Sequence, residues 1–93
     1  MINPDKLKDL NACEEGYHSF LSYFNGGASL GQIFRKMSKE HCIWLILALT
    51  KTNQCPVSIL KLIPVEYSQE TKREFAYYIS KNWDSLLPKL QRL

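Results

Sequence analysis

The chain lacks most of what announces chemistry. It has no C-x-x-C pair, no glycine-rich phosphate loop and no nucleophile elbow, so the usual sequence signatures of a zinc site, a nucleotide site and a serine hydrolase are missing. It has only four glycines and four prolines, and no internal repeat or low-complexity tract. No apolar run approaches the roughly 20 residues that a bilayer-crossing helix needs; the longest, Cys42 to Leu49, is closed off by Lys39, Glu40 and His41 before it and by Lys51, Asn53 and Gln54 after it. Asp5, Lys6, Lys8 and Asp9 stand where the apolar core of a secretion signal would sit, which leads us to expect a cytoplasmic protein. The three cysteines, Cys13, Cys42 and Cys55, form an odd set, and in a reducing compartment the simplest expectation is three small buried thiols.

What is present describes one ordinary globular domain spanning 1–93, with 45% hydrophobic and 23% charged residues. The net charge of +3 is uneven: residues 1–34 carry two lysines against four acids, and residues 35–93 carry ten basic residues against five acids. With a pI near 8.8, this stays below the value of about 9, with clustered Lys and Arg, that marks a nucleic-acid-binding domain.

The stretch around which the rest is organised is Ser38 to Thr50. Ser38 is placed as an N-cap, Glu40 lies in the first turn where a carboxylate suits the helix dipole, and the pattern runs out at Asn53 before Pro56. A buried strand is the alternative for so short an apolar run, but Leu45, Leu47, Ala48 and Leu49 are helix formers. A helix apolar on all sides must be covered on all sides, and so this one is expected at the centre of a bundle.

The other elements follow from caps and periodicity. Asn3-Pro4-Asp5 reads as N-cap, N1 and N2 of a short helix burying Leu7 and Leu10. Asn11 with Glu14 resembles a capping box for a helix over 12–24, with Cys13, Tyr17, Phe20, Leu21 and Phe24 on one face and Gly16 marking a bend or a close approach. Asn25-Gly26-Gly27 ends it through positive φ. Ser29 with Gln32 is a second capping box, opening a helix that carries Leu30, Ile33, Phe34 and Met37, with Arg35, Lys36 and Lys39 near its C-terminal end. Pro56 at N1 favours a helix over the alternative, an extended segment, for 56–63. Ser68 would cap a helix from Gln69 to about Lys81, with Phe75, Tyr78, Ile79 and Trp83 inward and Lys72, Arg73 and Glu74 toward solvent. Asp84 would open a last helix with Pro88 in its first turn, docked by Leu86, Leu87, Leu90 and Leu93. The expected fold is all-α: a single-domain bundle of five or six short helices around a central apolar helix at about 39–52.

Candidate chemistry is thin. A metal site would need Cys13, His18, His41, Cys42 and Cys55, but Cys13 and His18 are five apart, and His41 and Cys42 diverge by about 100° on a helix. A Cys–His nucleophile needs a hydrogen-bonded geometry that spacing does not supply, and the Glu14-Glu15 pair has a helix-start explanation. No metal, cofactor or catalytic residue is therefore assigned, and the protein is not expected to be an enzyme. Lys72, Arg73, Lys81, Lys89 and Arg92, interleaved with Tyr77, Tyr78 and Trp83, could instead line a nucleic-acid surface, or could simply be a solvated face on which Glu70 and Glu74 pair with neighbouring cations. Eleven aromatic residues are more than a core of this size readily hides, and Tyr17, Tyr23, Tyr67, Tyr77 and Tyr78 have the amphipathic character found at protein interfaces.

One segment carries a resemblance. Leu7-x-x-Leu10-Asn11-Ala12-Cys13-Glu14-Glu15-Gly16-x-x-x-Phe20 resembles a Leu-x-x-Leu-x-Ala-Cys-Glu-Asp-Gly-x-x-Trp-Phe segment near the start of many small bacteriophage and prophage proteins, which often carry a Trp-containing apolar stretch further on, as Trp44 does here. The likeness covers about half the chain and departs at Ser19, where the family has an aromatic. It implies a phage or mobile-element protein that works in the host cytosol by stoichiometric binding to a host protein or complex, as an inhibitor of a defence system. The expected partner-binding residues are Lys72, Arg73, Tyr77 and Tyr78; a small helical nucleic-acid-binding accessory or regulatory protein is the alternative. No membrane attachment is expected, and oligomeric state is left open.

Overall fold

The computed structural model describes residues 2–63 and 72–93, the side chains of Lys72 and Arg73 excepted. Among the described residues the fold is all-α, with seven helices where five or six are expected: α1 (Pro4–Asp9), α2 (Glu14–Tyr23), α3 (Leu30–Lys36), α4 (Lys39–Lys51), α5 (Val57–Leu60), α6 (Lys72–Lys81) and α7 (Trp83–Leu90). Within these residues the only β-type pairing is one antiparallel bridge, in which Ile2 and Ala28 exchange two main-chain hydrogen bonds of 2.8 Å.

Caps set most of the boundaries. Asn3 Oδ1 accepts from the Lys6 N–H at 2.8 Å with Pro4 following, Ser29 and Gln32 close a reciprocal capping box, and Ser38 Oγ accepts from the His41 N–H at 3.3 Å. α4 ends in a Schellman motif, where Asn53 takes φ 57°, its N–H donates to Thr50 O, and the Gln54 N–H donates to Leu49 O.

Asn11 departs from expectation. Rather than capping α2, it ends α1 in a second Schellman motif: it has φ 62°, its N–H donates to Lys8 O, and the Ala12 N–H donates to Leu7 O. The cap of α2 is Cys13, whose Sγ accepts from the Gly16 N–H at 3.4 Å. Cys13 is consequently exposed, whereas Cys42 is buried and Cys55 half-buried. In the 25–27 turn only Gly27 has positive φ (148°).

α5 is helical, with Pro56 as N-cap rather than N1. Ser68, Tyr67 and Glu70 lie outside the described residues. α7 begins at Trp83, immediately after Asn82, whose side-chain amide donates to Tyr78 O at 2.9 Å. Pro88 therefore falls in the second turn of α7, not the first. The Asp84 carbonyl that Pro88 leaves without an intrahelical donor belongs to an exposed residue, as Pro88 itself does, so water can satisfy it.

α4 joins two half-cores. Cys42 and Ile46 pack with Phe34, Ile59, Phe75, Ile79 and Leu90, while Leu45 and Leu49, on the adjoining stripe, pack with Leu7, Leu10, Phe20 and Ile33. The expectation of cover on every side is not met: Ile43, Trp44, Leu47 and Ala48 remain half-exposed. They lie at the margins of the two half-cores, Ile43 and Leu47 packed against the first, Trp44 and Ala48 against the second.

Candidate functional site

The expected site residues lie along α6. That helix buries Phe75 and Ile79, four apart, against α4 and α7. Tyr77, roughly 160–200° around the helix from both, is 67% exposed. Lys81, one turn later, places its ammonium 5.9 Å from the ring centre. Tyr78 is half-buried and packs against the core. Lys72 and Arg73 belong to the first turn of the same helix. Of the two tyrosines, Tyr77 is thus the one displayed outward, on an element anchored by two core side chains.

The other tyrosines divide. Tyr23 is 57% exposed, whereas Tyr17 is half-buried and receives the Lys8 ammonium at 5.4 Å from its ring. Trp83 is only 6% exposed, which removes it from the stripe of basic and aromatic residues that a nucleic-acid surface would use.

The metal and thiol candidates are scattered. Among the described residues no three His, Cys, Asp or Glu side chains are gathered as a metal site would need. His18 Nε2 lies 3.6 Å from Glu14 Oε1 on the open surface of α2. Cys42 directs its thiol at the Ile33 and Met37 carbonyls, 3.8 and 3.7 Å away, and burial pushes its pKa up to about 12. Cys55 is also raised by burial, partly opposed by a hydrogen bond with the Thr50 side chain. Both are therefore held as neutral, poorly nucleophilic thiols.

Cys13 and His41 do come together. Each has an atom within 3.6 Å of the point where a β-carbon on Gly16 would stand. No hydrogen bond joins the thiol to the imidazole, so the geometry for nucleophile activation is not set up. Sequence spacing could not find this juxtaposition, because it is made by packing α2 across the start of α4.

No helix of the described residues is long and apolar enough to cross a membrane. Compared with known proteins, the chain matches no family model, no curated protein and no solved structure.

Proposed function

We propose that this protein acts by stoichiometric protein–protein contact, without catalysis, through the outward face of α6. The observation that carries the reading is the exposure of Tyr77: a large amphipathic ring, 67% open to solvent, on a helix whose opposite face is locked into the core. A tyrosine has only two side-chain torsions to fix when a partner covers it, so it loses little conformational entropy, and such residues dominate interface energetics. Lys72, Arg73 and Tyr78 belong to the same helix and are included in the proposed contact, Tyr78 as a half-buried shoulder beside Tyr77.

Following the resemblance of the Leu7–Phe20 segment to small phage and prophage proteins, the partner is a host protein complex, and the consequence of binding is inhibition of a defence system. Salt dependence tests the reading against nucleic-acid binding. Contact through Tyr77 is expected to weaken only mildly between about 50 and 200 mM salt, whereas a surface making six or more phosphate contacts loses about 10³ or more over that range.

A further inference from the structure

No described side chain of α6 lines an apolar cleft that opens between α1, α2, α3 and α4 with a volume of about 120 Å³. Its floor is made by the buried side chains of Leu7, Phe20 and Leu45, and its mouth by Cys13, His41 and Trp44. The lining is almost entirely apolar. A water held inside a protein needs two to four polar partners, and dry cavities of about 150 Å³ lined by such residues take up benzene instead. Cofactor and metabolite pockets are larger, about 300–1,000 Å³, and carry placed polar groups to orient the ligand.

Gly16 supplies a second observation. It stands in the first turn of α2, where glycine is a poorer helix former than alanine. Nothing in the backbone requires it: its φ is not positive, and a β-carbon there would meet only the Cys13 sulfur at 3.4 Å and the His41 ring at 3.5 and 3.6 Å. Those two side chains are the ones at the mouth of the cleft. What the absent side chain leaves is an opening.

We infer that this cleft is a binding site for a small uncharged apolar molecule, one aromatic ring or a branched alkyl group of similar bulk, and that Gly16 keeps its mouth open. The site is separate from the α6 face and stands or falls independently of it.

Benzene is the probe for the test, with benzoate as the charged control. The full chain is titrated with each while the Gly16 amide and the indole N–H signals of Trp44 and Trp83 are followed by NMR. Benzene is expected to move the Gly16 and Trp44 signals saturably and leave Trp83, in the other half-core, unmoved; benzoate moves none. At twice the dissociation constant, where two-thirds of sites are filled, alkylation of Cys13 by iodoacetamide slows about threefold. Gly16→Leu abolishes all of these effects, and Ala12→Leu, which fills the cleft from the α1–α2 connection, serves if Gly16→Leu does not fold. Shifts that rise linearly without saturation, equal shifts at Trp83, or undiminished binding by the folded filled variants would overturn the site while leaving the α6 contact untouched.

Discussion

The main-chain carbonyl of Leu93 lies against Gly31 so closely that a β-carbon on residue 31 would overlap it, and the Gln91 carbonyl would stand only 3.2 Å from that carbon. Two positions 62 apart in the chain are thereby in backbone contact, and Gln91 adds a hydrogen bond from its side-chain amide to Phe34 O at 3.3 Å. This docks the end of α7 on α3 by main chain, whereas the Leu93 side chain remains 37% exposed. Gly31→Ala is expected to destabilise the fold by about 1–3 kcal/mol, the range for forcing an extra carbon into a filled space, despite alanine's better helix propensity. Urea unfolding reads this as a lower midpoint.

Gly16→Ala should have the opposite sign. The added methyl finds ordinary van der Waals distances and no backbone to displace. The expected gain is about 0.5–1 kcal/mol from helix propensity and reduced unfolded-state freedom. The same denaturant experiment checks it, and the two glycines of one chain then separate by sign.

Cys42 sets an alkaline limit. Its folded-state pKa lies near 12 against an ordinary 9.0, because burial disfavours the thiolate. The stability contributed by the neutral buried thiol is complete below pH about 9 and is lost as pH rises toward 12, since in that window the unfolded chain has released a proton that the folded chain retains. The loss approaches about 1.4 kcal/mol per pH unit. Cys42→Ala, expected to be less stable at neutral pH, should therefore close the gap on the parent as pH rises from about 9 toward 12, measured by unfolding at each pH. A constant gap would contradict this.

Much of the fold was legible because its signals are local. Ser29–Gln32, Ser38 and Asn3-Pro4 satisfy N–H groups within one turn, so their caps can be read from three or four letters. Asn11 was ambiguous for a physical reason: the residue type that caps helix starts also tolerates the left-handed conformation that ends them, and here the Leu7 and Lys8 carbonyls claimed its neighbourhood first. Asp84 reads in the sequence as a helix start, but α7 starts at Trp83, where Asn82 closes α6 without a side-chain cap, and this moves Pro88 into the second turn. The Gly31–Leu93 approach, and the meeting of Cys13 with His41 over Gly16, depend on how helices pack across the chain, which periodicity does not encode. On α6, the buried positions Phe75 and Ile79 were readable, and they carried with them the outward position of Tyr77.

The most direct test of the proposed contact is capture of partners from a bacterial host lysate by the tagged full chain, with and without nuclease, beside a Tyr77→Ala variant confirmed as folded. Truncating an anchoring tyrosine typically costs about 2 kcal/mol or more of binding, roughly 30-fold in affinity. The account predicts one protein complex that survives nuclease with the parent chain and is lost with Tyr77→Ala. Loss of every partner on nuclease treatment, or equal capture by the variant, would contradict it.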